Sequence, residues 1–427
     1  MTAAIIFGLL TVFMLTGMPI SIALGLTVLT FLFTMTQVPL ESVALKLFSG
    51  IEKFEIMAIP FFILAGNFLT HGGVARRMFN FATAMVGHWY GGLALGGVVA
   101  CALFAAVSGS SPATVVAIGS ILIPGMLKTG FPMRFGAAVI ASSGALGILI
   151  PPSIVMVMYA VATNSSIGAL FMAGVIPGLV MASMLGGITW YRARKFNYPR
   201  QPRATWRERW VTFKESAWGL MLIIVVMGGI YSGLFTPTEA AAMSAVYSFF
   251  VAVFIYKDMT VKDVPQVLLR SANMSAMLLY IITNAVMFSF ILANENIPQL
   301  LTEWMVNRGF GQIVFLLMVN ILLLMAGNFM EPSSIMLIFA PIIFPVAMQL
   351  GIDPIHLGVL MVVNMEIGMC TPPVGLNLYV TSGITKMGLT DVVIAVWPWL
   401  LTMLVFLVVV TYWPPLSIWL PKTLGMM

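Results

Sequence analysis

Five stretches of the sequence contain no Asp, Glu, Lys or Arg, and each is long enough to cross a membrane. They are Met1–Leu40, Met78–Leu127, Phe135–Tyr191, Ser271–Asn294 and Val392–Pro421. A helix needs about 20 apolar residues to cross a hydrocarbon core of about 30 Å, so the longer stretches must cross twice. Because they lack the alternating pattern of a membrane β-barrel, we predict an all-α polytopic membrane protein. The composition agrees, since 60% of the residues are hydrophobic and only 8% are charged.

Basic residues are concentrated in one segment near the middle of the chain. Residues 191–216 hold eight of the twenty Lys and Arg residues, and the positive-inside rule places such a segment in the cytoplasm. We predict a cytoplasmic linker over 191–215, and a nucleic-acid role for it is the weaker interpretation. The first Lys is Lys46, so the apolar N-terminal segment is predicted to be a retained helix and not a signal peptide. Cys101 and Cys370, far apart and among apolar residues, are expected to be buried and reduced.

The sequence repeats itself across this linker. "LGILIPPSIVMVMY" (146–159) and "IGMCTPPVGLNLYV" (367–380) match at an offset of 221 residues, and each contains a Pro-Pro pair in an apolar stretch. Proline cannot continue a helix, so each pair is predicted to break a membrane helix, at about 134–162 and about 355–386. We therefore predict a first repeat over 1–190 and a second over 216–427, with the inverted topology found in many secondary transporters.

A second kind of interruption lies upstream of each Pro-Pro pair. The turns "SGSS" (108–111) and "MEPSS" (330–334) are flanked by apolar arms of about 16–18 residues. Arms of that length can enter the membrane and return. We predict re-entrant helical hairpins over about 91–128 and 311–349, with Gly109, Pro112 and Pro332 ending or starting the helices. Ordinary pairs of crossings, with the polar turns outside the membrane, are the alternative.

Each hairpin tip is expected to meet a helix break and form a binding site. Hydroxyl and unpaired carbonyl oxygens there are neutral ligands suited to Na⁺, and the helix N-termini at the breaks favour an anionic substrate. The predicted Na⁺ ligands are Ser108, Ser110, Ser111, Gly147 and Pro151 in the first repeat and Ser333, Ser334, Gly368, Thr371 and Pro372 in the second. The predicted substrate contacts are Ser108, Gly109, Ser111, Pro152, Ser153, Glu331, Ser333, Gly375 and Asn377. Alternatively, the serines and glycines only permit close helix packing.

Two acidic residues at membrane depth, Glu331 and Glu366, are further candidates. Neither has an acidic counterpart in the first repeat, and either could neutralise a cation or carry a proton. An intramembrane serine hydrolase using an "SGSS" hydroxyl is a remote alternative, since it needs a general base and the paired motifs contain no histidine. The sequence therefore predicts a transporter and not an enzyme.

Five segments resemble one transporter family. They are "FFILAGNF" (61–68), "SGSSPATVVAIGSILIPGM" (108–126), "GILIPPS" (147–153), "GLFTPTEAAA" (233–242) and "NMEIGMCTPPVGLNLYV" (364–380). Together they resemble the large membrane subunit of tripartite ATP-independent periplasmic (TRAP) transporters, the DctM-like permeases. The resemblance extends along nearly the whole chain.

This resemblance implies an elevator-type carrier of the bacterial inner membrane, in which both hairpins and both broken helices slide as one domain against a fixed scaffold. It implies symport of Na⁺, the coupling ion, with a small carboxylate such as a C4-dicarboxylate, and no organic cofactor. A periplasmic binding protein is expected to deliver the substrate. The two repeats fill the chain, so the family's small membrane subunit is expected to be a separate chain. A stand-alone Na⁺-coupled organic-anion carrier of related fold is the alternative.

Overall fold

Helices make up all the regular secondary structure that the structure describes. The computed structural model describes residues 2–36 and 39–427, and no strand occurs among them. Eight of the described helices are long and apolar enough to cross a membrane, and several shorter helices of 10–17 residues are also apolar. The predicted all-α polytopic membrane protein is therefore confirmed.

The described residues form 21 α-helices. The first half contains α1 (Thr2–Leu15), α2 (Ile20–Met35), α3 (Leu40–Ile51), α4 (Ala58–His71), α5 (Val74–Val86), α6 (Gly92–Ser108), α7 (Ser111–Lys128), α8 (Met133–Gly144), α9 (Ile154–Thr163) and α10 (Ile167–Lys195). The second half contains α11 (Trp206–Ile223), α12 (Gly229–Tyr231), α13 (Pro237–Phe250), α14 (Val264–Asn294), α15 (Ile297–Asn307), α16 (Gln312–Gly327), α17 (Pro332–Gln349), α18 (Pro354–Gly368), α19 (Leu376–Thr385), α20 (Leu389–Tyr412) and α21 (Pro415–Thr423). Short 3₁₀ turns occur at Phe54–Met57, Ala145–Ile148 and Val261–Asp263, and π turns at Ile224–Gly228 and Val251–Ile255.

The helices around the two predicted hairpins and breaks recur at a nearly constant spacing. Paired helices begin at Gly92 and Gln312, at Ser111 and Pro332, at Met133 and Pro354, and at Ile154 and Leu376. The two members of each pair are thus 220–222 residues apart, close to the offset seen in the sequence. The helices start and end near the predicted bounds, whereas the inverted orientation of the repeats stays a prediction.

The connection between the two halves is shorter than the predicted linker of 191–215. α10 continues to Lys195, and the three basic side chains of its last turn interact favourably with the negative end of the helix dipole. α11 already begins at Trp206, where Thr205 and Glu208 form a reciprocal capping box. Only residues 196–205 lie outside these helices, because the basic segment itself contains the signals that end one helix and start the next.

One apolar core extends through both halves of the chain. Buried side chains of α4–α10 and α16–α20 belong to a single cluster. Within it, the Tyr159 hydroxyl donates to the Pro354 carbonyl at 2.6 Å, and the Trp399 indole N–H donates to Thr189 Oγ1 at 2.9 Å. A smaller cluster packs α1 and α2 against α14. Cys101 and Cys370 are free and buried, as predicted.

The course of α10 distinguishes the two membrane faces. The positive-inside rule predicts that its basic C-terminal end is cytoplasmic, and its 29 residues rise about 44 Å, so its start at Ile167 is predicted to be extracytoplasmic. Lys53, just before α4, hydrogen-bonds Asn164 next to that start. The other end of α4 is therefore predicted to be cytoplasmic, and there His71 accepts a hydrogen bond from Arg270 of α14 at 2.9 Å.

Candidate functional site

Both predicted helix breaks are present. In the first half the helical backbone ends at Ile148 and resumes at Ile154, and in the second half it ends at Gly368 and resumes at Leu376. The Pro151–Pro152 and Pro372–Pro373 peptide bonds within the breaks are both cis. Each break leaves main-chain N–H and C=O groups outside the regular helical hydrogen-bond pattern, where they are free to bind other groups.

The first tip, residues 109–110 between α6 and α7, packs directly on the first break. A Cβ atom on Gly147 would lie 2.6 Å from the Ser110 carbonyl oxygen. A Cβ atom on Gly109 would lie 2.9 Å from the Pro152 carbonyl oxygen, and Gly109 also has a left-handed φ of +59°. Only glycine allows these close approaches of main chain to main chain.

The second tip, residues 328–331 between α16 and α17, lies against the second break. A Cβ atom on Gly368 would lie 2.6 Å from the Cα atom of Gly327, which ends α16. The Val374 N–H of the break donates to the Asn328 carbonyl at 3.2 Å. Each half of the chain therefore brings a hairpin tip against its own helix break.

Asn377 joins the two halves close to the tips. It lies in the first turn of α19, and its Nδ2 donates to Ser111 Oγ at 2.7 Å, while Ser111 Oγ donates to the Gly144 carbonyl at 2.9 Å. Both Asn377 and Ser111 are fully buried. The second break is thus tied to the start of α7 in the first hairpin.

Replacing Asn377 with alanine should destabilise this junction. Ser111 Oγ would lose its buried donor, at a cost of about 1–3 kcal/mol, and the apparent melting temperature of the purified protein in detergent should fall by a few degrees. Thr402→Ala serves as the control, because the Thr402 hydroxyl bonds only to Pro398 of its own helix. Equal melting temperatures for Asn377→Ala and the wild type would contradict the assigned link.

Both tips open onto one cavity of about 440 Å³. Four helices, α7, α9, α17 and α19, begin at residues that line this cavity: Ser111, Ile154, Pro332 and Leu376. Each N-terminus presents unpaired N–H groups and roughly half a positive charge. The lining residues include no Lys, Arg or His in the described part of the chain, so helix N-termini supply the positive potential.

The opposite wall of the cavity comes from α4 and α14. Thr70 lies next to the cytoplasmic end of α4, and Met274, Met277 and Leu278 lie in the half of α14 that contains Arg270. The cavity therefore faces the portions of these two helices that are predicted to be cytoplasmic. This wall is mainly apolar, in contrast to the tips.

Five of the predicted site residues line the cavity, namely Gly109, Ser110, Ser111, Glu331 and Ser333. The other predicted residues lie outside its lining: Ser108, Gly147, Pro151, Pro152, Ser153, Ser334, Gly368, Thr371, Pro372, Gly375 and Asn377. Most of this second group belongs to the breaks that support the tips.

Several of the predicted hydroxyl ligands already donate hydrogen bonds. Ser153 Oγ donates to the Ile148 carbonyl at 2.6 Å across the first break, and Thr371 Oγ1 donates to the Ile367 carbonyl at 2.7 Å. Ser333 Oγ donates to a Glu331 carboxylate oxygen at 2.5 Å. A hydroxyl that donates its proton keeps oxygen lone pairs, so Thr371 and Ser333, the predicted Na⁺ ligands among these residues, are still able to ligate a cation.

The helix starts revise the correspondence between the two tips. The serine doublets of the two turns, Ser110–Ser111 and Ser333–Ser334, are alike in sequence, but the N-cap residues of α7 and α17 are Ser110 and Glu331. Glu331 is therefore the structural counterpart of Ser110. The two serine doublets have the same residue type but not the same structural position. The start of each helix is instead set by the position of the proline in its first turn.

Two polar residues at the tips were missed by the sequence analysis. Thr114 Oγ1 donates to the Ser110 carbonyl at 2.9 Å and lies 2.9 Å from Ser108 Oγ. Its spacing of four residues from Ser110, one helical turn, was the available signal. Asn328 Oδ1 is buried and has no hydrogen-bond partner among the described residues, and no local pattern marks this residue.

Glu366 lies in the core and not in the cavity lining. Its side chain is fully buried, and neither carboxyl oxygen has a hydrogen-bond partner among the residues that the structure describes. The proposed roles of Glu366 in cation or proton binding stay predictions.

Paired hairpin tips and broken helices around one cavity define a polytopic membrane transporter. The solved YdaH transporter of Alcanivorax borkumensis has a similar fold, with a TM-score of 0.60 and 15% identity over 90% of this chain and 91% of that chain. This likeness concerns the fold.

The sequence identifies the family. Residues 7–416 match the family described as "Tripartite ATP-independent periplasmic transporter, DctM component", and the chain belongs to this family. It is 72% identical over 440 residues to the "C4-dicarboxylate TRAP transporter large permease protein DctM" of Rhodobacter capsulatus, covering 100% of both chains. The protein of the same name from Pseudomonas aeruginosa is 56% identical over 386 residues, covering 90% of each chain. The predicted resemblance is confirmed: the chain is the large permease subunit of a TRAP transporter, a multi-pass inner-membrane protein and not an enzyme.

Proposed function

We propose that this permease imports a C4-dicarboxylate, or a similar small carboxylate, by symport with Na⁺. A periplasmic binding protein delivers the substrate, a separate small membrane subunit completes the transporter, and substrate crosses by an elevator movement. The single observation that carries this proposal is the cavity at which both tips and four helix N-termini converge. The names of the two relatives support the substrate class, and the family description supports a three-part assembly.

The cavity can bind an anionic substrate with moderate affinity, so that the substrate can also be released. Helix N-termini stabilise a carboxylate by about 0.3–1 kcal/mol each, and up to about 2 kcal/mol where they are partly buried. They do so without a fixed ammonium or guanidinium group, which would hold the substrate more tightly. The lining provides such termini at Ser111, Ile154, Pro332 and Leu376, on several sides of the space.

The contacts between tips and breaks suit Na⁺. Neutral carbonyl and hydroxyl oxygens are the ligands that hard cations such as Na⁺ prefer. The Ser110 carbonyl lies against Gly147 in the first half. In the second half Gly368 lies against Gly327, and the Val374 N–H of the break donates to the Asn328 carbonyl of the tip. Na⁺ bound there would also offset the charge of the dicarboxylate, which couples the binding of the two.

An elevator movement is supported by how the elements are joined. The hydrogen bond from Asn377 to Ser111 connects the tips and breaks of both halves, so they can move as one domain. In the cavity, this domain faces an apolar wall of Met274, Met277 and Leu278 on α14. Flexible methionine side chains adapt to different partners, which favours sliding over fixed contacts. The cavity faces the portions of α4 and α14 that are predicted to be cytoplasmic, as expected for the inward-facing state of a carrier.

Uptake of radiolabelled succinate into proteoliposomes tests the proposal. The large and small subunits are reconstituted together, the binding protein is added outside, and the Na⁺ gradient is imposed or omitted. We expect saturable uptake only when the gradient, the small subunit and the binding protein are all present.

Other results would identify the competing functions. Na⁺-driven uptake without the binding protein would indicate a stand-alone organic-anion carrier. Flux that does not saturate and does not depend on Na⁺ would indicate a channel. Either result would contradict the proposed function.

A further inference from the structure

A second crevice lies between α3, α9, α14 and α17, on the side of the molecule that the positive-inside rule predicts to be extracytoplasmic. Its volume is about 240 Å³. Lys46 on α3 and Lys53 just after α3 both line it, and most of the remaining wall is apolar. The close packing of α3 on α14 shapes the crevice, because a Cβ atom on Gly50 would lie 2.7 Å from the Val286 side chain.

Neither lysine has a carboxylate partner within salt-bridge distance among the described residues. The ion pairs among the described residues join Arg76 and Arg77 to Asp258 and Arg134 to Asp391. Lys46 Nζ instead lies over the Phe290 ring, 5.6 Å from its centroid. Two ammonium groups therefore share one crevice without a bound counter-charge from the described part of the chain.

Lys53 is held at the C-terminal end of α9 by neutral acceptors. Its Nζ donates to the Val161 carbonyl at 2.8 Å and to Asn164 Oδ1 at 2.7 Å. A cation is favourable at a helix C-terminus, but burial lowers the pKa of Lys53 more than the nearby Glu55 raises it. The third N–H of the ammonium group has no described acceptor and is available to another oxygen.

α9 connects this crevice with the site cavity. Its first residue, Ile154, lines the cavity at the tips, and Val161 in its last turn lines the crevice. The ten residues of α9 rise about 15 Å, so the two spaces lie at opposite ends of one short rigid helix. A change in the partners of Lys53 would act on the helix that starts at the first break.

We propose that the crevice binds an oxyanion between Lys46 and Lys53, which accepts the third N–H of the Lys53 ammonium group and draws this group away from Val161 and Asn164. The oxyanion is either a soluble carboxylate or phosphate, or the phosphate of an anionic lipid headgroup. Bound there, it loosens the end of α9 from α3. This site does not depend on the proposed Na⁺-coupled transport, because its ligands lie outside the tips and breaks.

Anion binding in the absence of Na⁺ tests this proposal separately from transport. The purified complex of large and small subunits in detergent is titrated with succinate and with inorganic phosphate in Na⁺-free buffer, and thermal stabilisation gives the apparent Kd. A parallel set of nanodiscs compares pure phosphatidylcholine with phosphatidylcholine containing phosphatidylglycerol. Stabilisation by the soluble ions identifies a soluble ligand, and stabilisation by phosphatidylglycerol alone identifies a lipid.

Lys46→Gln is the most direct test, because it removes one charge from the crevice and leaves the hydrogen bonds between Lys53 and the end of α9 intact. Lys46→Gln should raise the apparent Kd of the stabilising ligand about tenfold. Lys262→Gln, at an exposed lysine elsewhere, should leave this Kd unchanged. Asn164→Asp should also raise this Kd, since a carboxylate next to Lys53 competes with the ligand. Aspartate tolerates the left-handed conformation at this position. Binding that is unchanged in both variants, or no stabilisation by any of the probes, would overturn the proposal.

Discussion

Gly147→Ala is expected to reduce Na⁺-driven uptake by about tenfold to a hundredfold while the protein still reaches the membrane. The added Cβ atom would lie 2.6 Å from the Ser110 carbonyl oxygen, so the first tip would have to move by most of an ångström. That carbonyl is a predicted Na⁺ ligand, and its displacement distorts the site. Gly368→Ala should act alike, because its Cβ atom would meet the Cα atom of Gly327 at 2.6 Å. Succinate uptake per reconstituted complex is the measurement.

The matched control is Gly187→Ala in the middle of α10. No heavy atom lies within 4 Å of a Cβ atom at this position, and alanine is a better helix former than glycine. This variant should transport at the wild-type rate. If Gly147→Ala and Gly368→Ala also transported normally, tight contact between tip and break would not be needed for function.

Glu331→Gln should raise the Na⁺ concentration for half-maximal uptake by about tenfold, which corresponds to about 1.4 kcal/mol of lost interaction. Glutamine keeps the side-chain size and an oxygen that accepts the hydrogen bond from Ser333, but it removes a negative charge. Glu331 is the one acidic residue lining the cavity in the described chain. A carboxylate beside an anionic substrate is stable only with a cation close by, so its charge should favour Na⁺. Uptake rates over a series of Na⁺ concentrations give this value.

Glu303→Gln provides the comparison for this measurement. Glu303 is an exposed residue of α15 outside the cavity lining, and its neutralisation should leave the Na⁺ dependence unchanged. If Glu331→Gln kept the wild-type Na⁺ dependence, Glu331 would have no part in cation binding and would serve only to hold Ser333.

The positions of the hairpins and breaks were predictable because local signals determine them. Gly109 ends α6 through its positive φ, a proline lies in the first turn of both α7 and α17, and Pro-Pro pairs interrupt the two broken helices. Such signals act within a few residues and can be read from one sequence. The match between two halves then strengthened each assignment.

Features that depend on distant contacts were not predictable in this way. The link from Asn377 to Ser111 joins residues 266 positions apart, and the wall formed by Met274 and Met277 depends on how α14 packs. The correspondence of Ser110 with Glu331 was hidden because the two residue types differ, although both precede a helix. Lys53 and Asn164 likewise meet only in the folded chain.

A structure of the complete transporter with Na⁺ and bound succinate would locate the substrate and the cations. We expect density for the dicarboxylate between the two tips, in contact with the starts of α7 and α17. We also expect cation density where the Ser110 carbonyl meets Gly147 and at Thr371 in the second break. Succinate bound elsewhere in the permease, with both contacts between tips and breaks free of cations, would contradict the proposed transport site.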